Sequence, residues 1–302
     1  MILPPNLKKG STIGICAIAK SIDHSRIAAT VNSLTLAGFK VVIDETVGAI
    51  YHQFAGNDAM RTAYFQDMLD DDDIEAILIA RGGYGTVRIL DALDFKKFKK
   101  QPKWICGFSD ITYLHSHIQQ TLGIATLHSL MCSTHQPDIS PDLPMQSLIN
   151  ALLGKKNTYR FQADTHNKNG SMQGVVVGGN LSILLALQGN KSMINTKDKI
   201  LFFEDLDEYL YHWDRTLYSL QRNGVLNGLK GLLIGSFTTI KDNEIPFGSS
   251  IEESILNATK GYNYPIIFGM PSGHQDDNRA IKLGVEAAIT FNKKTNECIF
   301  VQ

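Results

Sequence analysis

The sequence predicts an α/β protein: a mainly parallel N-terminal sheet with flanking helices, then a smaller C-terminal α+β domain. Three observations predict it. Short apolar runs alternate with amphipathic segments through the first half, the βαβα order of a parallel sheet covered on both faces. The chain has 302 residues, too many for one small core and about right for two domains. Polar, Pro- and Gly-rich punctuation then separates this half from a strand-dense second half.

Taken in order, "STIGICAIA" reads as a first buried strand. "DHSRIAATVNSLTLAGF" reads as a helix, with Asp23 as N-cap and Gly38 near its end. "KVVID" is strand-like, and "NDAMRTAYFQDMLDD" is helical, with Asn57 or Asp58 near its cap. "EAILIA" and "KWICGF" are strands. Their carboxyl ends carry the loops where open α/β sheets place their sites. These features define an N-terminal domain over 1–140. Residues 141–172 read as a linker region containing one helix, "MQSLINALLG". The C-terminal domain, 173–302, contains the apolar runs "GVVVGGNLSILLALQGN", "KILFFED", "LKGLLIGSF", "YPIIFG", "EAAITF" and "ECIFVQ", which give more strands and fewer helices.

Composition excludes several classes. Apolar content is 43%, charged content 20% and net charge −1, ordinary for a globular protein and without the basic footprint of nucleic-acid binding. The acidic run Asp70 to Asp73 and the "DFKKFKK" segment read as solvated helix surface. The four cysteines, Cys16, Cys106, Cys132 and Cys298, lack CxxC spacing, so neither a zinc knuckle nor a disulfide framework is indicated. No HExxH motif suggests a metal. The apolar run near the N-terminus is too short to span a membrane. The expectation is a cytoplasmic protein needing neither metal nor organic cofactor.

Four stretches carry chemistry-bearing residues. In "WICGFSDITYLHSHI", Ser109 follows a strand and precedes a helix, which suits either a helix N-cap or a nucleophile raised on a sharp turn. In "ILIARGGYGTVRIL", Gly82, Gly83 and Gly85 surround Tyr84 directly after a strand. Such a loop is either a tight turn or a close backbone approach to a ligand, with N–H groups suited to an oxyanion. A phosphate loop is excluded, because no Gly-Lys-Ser/Thr follows. In "KILFFEDLDEYLYHWDRTLYSLQ", Glu204 ends an apolar strand, where a desolvated carboxylate needs a partner. Glu208 follows at the start of a helix, and Asp214 and Arg215 lie within it. In "FGMPSGHQDDNRAIKLG", His274 sits in a polar loop between strands, a better general-base position than an apolar helix face. His115 and His117 read as packing or surface residues, and His128 is held in reserve.

Together "FAGNDAMR", "ARGGYGTVRIL", "CGFSDIT", "GGNLS", "FFED", "DRTLYSLQ" and "PSGHQDDNRAIKLG" resemble, in order, the motifs of the LD-carboxypeptidase serine peptidases. That family includes muramoyltetrapeptide carboxypeptidases and microcin C immunity peptidases. The resemblance implies a triad of Ser109 as nucleophile, His274 as general base and Glu204 as the orienting acid. It implies an oxyanion hole from the backbone N–H groups of Asp110 and Gly83. Tyr84 and Glu208 are the expected substrate-binding residues, the substrate a murein peptide and the assembly a homodimer. Ser129, in "TLHSLM", departs from the Gly many relatives carry after the His. Alternatives are an immunity-type peptidase acting on aminoacyl nucleotides, which needs an aromatic wall that only Trp104 or Trp213 offers as tryptophan, and a non-catalytic murein-peptide binding protein. An α/β-hydrolase esterase lacks support because "GFSDI" has no second Gly. An amidotransferase lacks support because Cys106 lies three residues before the serine.

Overall fold

Apolar alternation along two central strands explains the architecture. The computed structural model describes residues 1–138, 140–168 and 170–302. The first half runs β1 (Thr12–Cys16), α1 (Ala28–Leu36), β2 (Lys40–Ile43), α2 (Asp58–Asp70), β3 (Ile74–Ile79), α3 (Thr86–Leu90), α4 (Lys96–Lys100), β4 (Trp104–Gly107), α5 (Thr112–His117) and β5 (Thr126–His128). The second half runs α6 (Leu143–Leu152), β6 (Thr158–Gln162), β7 (Met172–Asn180), α7 (Leu181–Ala186), β8 (Ile200–Leu206), α8 (Leu210–Arg222), β9 (Gly231–Thr238), α9 (Ile251–Ala258), β10 (Ile266–Ile267), β11 (Ile281–Leu283), β12 (Glu286–Asn292) and β13 (Glu297–Val301).

The first sheet has the order β2-β1-β3-β4-β5, every neighbour parallel, with β11 added antiparallel at the β5 edge. Along β3, Ala76 and Leu78 enter one apolar core while Ile77 and Ile79 enter the other. Both faces are therefore buried, as parallel sheets require. Each large side chain fully buried in this way contributes about 1.5–3 kcal/mol. Local signals set the helix starts. Asp23 accepts the Ser25 N–H in the turn preceding α1, and Asn57 caps α2 through the Met60 N–H.

The second sheet has the order β10-β9-β8-β7-β12-β13-β6. β7 to β10 pair in parallel, and β7, β12, β13 and β6 pair antiparallel. Two features refine the sequence expectation. The run "GVVVGGNLSILLALQGN" divides into the end of strand β7 and helix α7. The Asn180 side chain accepts the Ile183 N–H and starts that helix. Periodicity cannot separate a short buried helix from a strand, and the cap decides. The segment 141–172 contains the expected helix, α6, and also the edge strand β6. Only Tyr159 on β6 is deeply buried, stacked on Phe300 with ring centroids 5.3 Å apart. A strand with one anchored residue has a weak apolar pattern.

Candidate active site

The site lies where the carboxyl ends of β3, β4, β7 and β8 meet the loop between β10 and β11. Ser109 directly follows β4 and Phe108. Its φ of 62° is left-handed, which costs an L-residue about 1–2 kcal/mol. Such strain persists where the surroundings hold it, and it gathers at functional sites. The two sequence readings of Ser109 separate here. The residue at the cap position of the Ser109–Ile111 turn is Phe108, without a side-chain cap bond. The Ser109 hydroxyl instead lies 3.1 Å from His274 Nε2.

His274 Nδ1 is 2.6 Å from Glu204 Oε2. The same oxygen accepts the His274 backbone N–H at 3.2 Å, so one carboxylate oxygen holds both ring and backbone. With a carboxylate at Nδ1, the proton belongs there, and Nε2 is left to accept from the serine hydroxyl. The Glu204 side chain is 0% exposed and that of His274 is 15% exposed. Burial pulls the imidazole toward neutrality. The Glu204 charge and hydrogen bond, with a smaller effect from Asp205, outweigh it and raise the His274 pKa above its ordinary value. Gly273, at φ 117°, permits the close approach. A Cβ there would lie 2.7 Å from Glu204 Cβ. Only a residue without a side chain lets the histidine loop sit this tightly on β8.

Sequence reasoning missed the support beneath Glu204. The Asn180 amide donates to Glu204 Oε1 at 3.4 Å and to Asp205 Oδ1 at 2.8 Å. Asp205 also accepts from the Ser182 hydroxyl at 2.7 Å and from Trp213 Nε1 at 3.2 Å. Burial, then the neighbouring Glu204 charge, push the Asp205 carboxyl above its usual range. The Asn180 N–H donates to Thr112 Oγ1 at 3.0 Å, tying the end of β7 to the helix after Ser109. "GGNLS" and "FFED" contain these residues, but nothing in the linear spacing reveals that they meet.

The glycine loop abuts the serine. A Cβ on Gly82 would lie 3.4 Å from Ser109 Cβ, and Gly83 adopts φ 104°. Two buried side chains pin this loop. The Asp110 carboxylate accepts the Thr86 N–H at 2.8 Å, and burial, only partly opposed by that bond, raises its pKa. The buried Arg61 guanidinium donates to Ile18 O at 2.6 Å and Gly85 O at 3.1 Å, and pairs with Asp58. The pinned loop thereby holds Gly82 beside the serine, while Gly83 packs against the Lys20 side chain. Tyr84 is 44% exposed, its ring 6.0 Å from that of Phe54. Glu208 turns to His212, with its carboxylate 2.5 Å from Nδ1, and does not bond to His274.

The remaining candidates are structural. His128 is fully buried with its ring 5.0 Å from Phe202 and 5.6 Å from Phe108. Burial, then the charges of His115 and His274, hold its pKa well below the ordinary value. His115 contacts Gly107 O at 2.9 Å, and burial lowers its pKa to about 4. His117 is buried against Ser192 Oγ. The four cysteines are buried free thiols. Among the described residues, no cluster of His, Cys, Asp or Glu could hold a metal, and no helix is long and apolar enough to cross a membrane.

A two-domain α/β fold with a strained serine, a histidine and a buried carboxylate in hydrogen-bond sequence is an arrangement suited to acyl transfer. Residues 13–129 match the LD-carboxypeptidase N-terminal domain, and residues 173–289 match the LD-carboxypeptidase C-terminal domain. A probable murein peptide carboxypeptidase of Bacillus subtilis (strain 168) is 33% identical over 97% of this chain and 92% of its own. The microcin C7 self-immunity protein MccF of Escherichia coli is 25% identical over 97% of this chain and 94% of its own. A muramoyltetrapeptide carboxypeptidase structure from Oxalobacter formigenes shares the fold at TM-score 0.86, with 24% identity, covering 96% of this chain and 98% of that one. The chain belongs to the LD-carboxypeptidase family. It is a serine-type carboxypeptidase.

Proposed function

We propose that the protein is an LD-carboxypeptidase that removes C-terminal D-alanine from murein tetrapeptide during cytoplasmic peptidoglycan recycling, working as a homodimer. The observation that carries the chemistry is the continuous chain Ser109 Oγ, His274 Nε2, His274 Nδ1, Glu204 Oε2, at 3.1 and 2.6 Å. His274 takes the Ser109 proton as Oγ attacks the carbonyl of the L-centre preceding D-alanine. The Gly83 and Asp110 N–H groups hold the oxyanion, usually the largest stabilising contribution in acyl transfer. His274 then protonates the leaving amine, D-alanine departs, and water attacks the acyl-enzyme by the same route in reverse. Glu204 keeps the proton on Nδ1 and stabilises the imidazolium that forms. Tyr84 and Glu208 contribute to substrate binding.

The burial of both tryptophans favours this reading over the immunity-type activity. Trp104 and Trp213 are each 1% exposed, and their indole N–H groups donate to Pro5 O and Asp205 Oδ2. Neither can stack on a nucleobase at the site. Mass spectrometry of two parallel reactions, one with murein tetrapeptide and one with an aminoacyl sulfamoyl nucleotide, tests the proposal. D-alanine release from the first supports it. Turnover of the second alone overturns it.

A further inference from the structure

A second crevice opens beside the glycine loop. In the first sheet, β2 lies on one side of β1 and β3 on the other, so the strand order reverses between β1 and β3. Open α/β sheets bind ligands at this position, outside the carboxyl ends of the strands. A cavity of about 520 Å³ lies there, within the size range of small-molecule sites. Its walls include Ser21 and Asp23 after β1, Gly48 after β2, Arg81 after β3 and Ser133 after β5, with Arg26 from the turn preceding α1.

The charges in this crevice are ordered. The Arg81 guanidinium donates to Ser21 O at 2.7 Å, and the Arg26 guanidinium donates to Ser133 O at 2.9 Å. Each is thereby steadied by one backbone carbonyl, with further N–H groups left over on the fork. Among the described residues, the arginines paired with carboxylates are Arg61, Arg88, Arg160 and Arg279. The two in the crevice are not among them. Asp23 lines the same cavity, one of its oxygens taken by the Ser25 N–H at 2.8 Å. Two guanidinium groups and one carboxylate complement a zwitterion. The guanidinium groups match a carboxylate and the acid matches an ammonium.

We propose that this crevice is a subsite for the free amino-acid end of a substrate side chain, read by Arg26 and Arg81 through its carboxylate and by Asp23 through its ammonium. The proposal rests on the carboxypeptidase reading and specifies its substrate. Arg81 immediately precedes Gly82, on which a Cβ would lie 3.4 Å from Ser109 Cβ. A side chain leaving the scissile L-centre therefore has a crevice beside it. Meso-diaminopimelate carries such an end, with a second amine and a second carboxylate at the far side of its side chain. Lysine carries the amine alone.

The test compares three tetrapeptides with the full-length protein. Their third residue is meso-diaminopimelate, its mono-carboxamide at the distal centre, or L-lysine, and D-alanine release is followed for each. The wild type should lose about 10- to 100-fold in kcat/KM on either carboxylate-free peptide, chiefly through KM, as for loss of a charged hydrogen bond. The R26Q/R81Q double variant should lose as much on the diaminopimelate peptide and little further on the other two. Asp23→Asn, which retains an acceptor for the Ser25 N–H, should weaken both amine-bearing acid and amide alike. Equal wild-type kcat/KM on all three peptides would overturn the subsite. So would a double variant that discriminates as well as the wild type. Calorimetric titration of free meso-diaminopimelate into wild type and double variant separates this idea from the activity reading. If no peptide releases D-alanine, the carboxypeptidase reading fails, and the subsite stands only if saturable binding is present in the wild type and lost in the variant. Absence of that binding in such a case overturns the subsite too.

Discussion

Replacing Glu204 by Gln changes a single atom type and tests the relay at its most sheltered point. The carboxylate faces only donors: the His274 N–H at 3.2 Å, His274 Nδ1 at 2.6 Å and the Asn180 amide at 3.4 Å. A glutamine amide must turn its NH₂ toward one side of this shell. Facing His274, it opposes two donors and drives the ring proton to Nε2, where it blocks acceptance from Ser109. Facing Asn180, it keeps the tautomer but leaves a neutral oxygen beside the imidazolium in a site with 0% exposure. Removing one partner of a buried pair costs about 3–5 kcal/mol. That corresponds to about 10² to 10⁴ in rate, and the shift to the wrong tautomer pushes the result toward 10⁴, the loss known for the equivalent serine-protease change. The variant also loses the charge that raises the His274 pKa, while burial, which lowers it, remains. The wild-type acid limb, where activity falls as pH drops through the imidazole pKa, should therefore lie above pH 6.5, the ordinary imidazole pKa. In Glu204→Gln it should move to lower pH. D-alanine release across the limb gives both readouts. A kcat within tenfold of wild type together with an unmoved limb would refute the assignment of Glu204.

Five further outcomes are expected. Ser109→Ala should abolish turnover, a loss on the order of 10⁶, with a native circular dichroism spectrum. Ser109→Gly should be equally inactive but more stable in denaturant than Ser109→Ala by about 1 kcal/mol, because φ 62° suits glycine. Gly273→Ala should lower stability by at least about 2 kcal/mol and remove activity, since its Cβ would sit 2.7 Å from Glu204 Cβ; wild-type melting and turnover would contradict the packing argument. Glu208→Gln should raise KM more than it lowers kcat, and a dominant loss of kcat would exchange its role with that of Glu204. Activity should survive exhaustive chelation, and loss restored by a divalent metal would overturn the metal-free mechanism.

Linear order alone determined the alternating elements of the first half, the caps Asp23 and Asn57, and the placement of Ser109 just after a strand, Glu204 toward the end of one and His274 in a loop. These are local properties: a buried strand announces itself by its apolar run, and a cap by the polar residue before a helix. The strand β6 escaped notice because an edge strand with one buried residue barely departs from a loop pattern. The boundary between β7 and α7 was hidden because a short apolar run fits either period.

Only the tertiary structure decided what the Ser109 hydroxyl faces. A serine between a strand and a helix reads equally as a cap, and the choice depends on a histidine 165 positions away approaching within 3.1 Å. Glu204 and Glu208 differ in the same way: one carboxylate bonds His274, and the other turns to His212. Asn180, Ser182, Asp205 and Trp213 converge from β7, α7, β8 and α8, and Arg61 reaches the glycine loop from α2. A hydrogen bond needs two groups within about 3 Å, and sequence separation places no limit on which groups the fold brings that close.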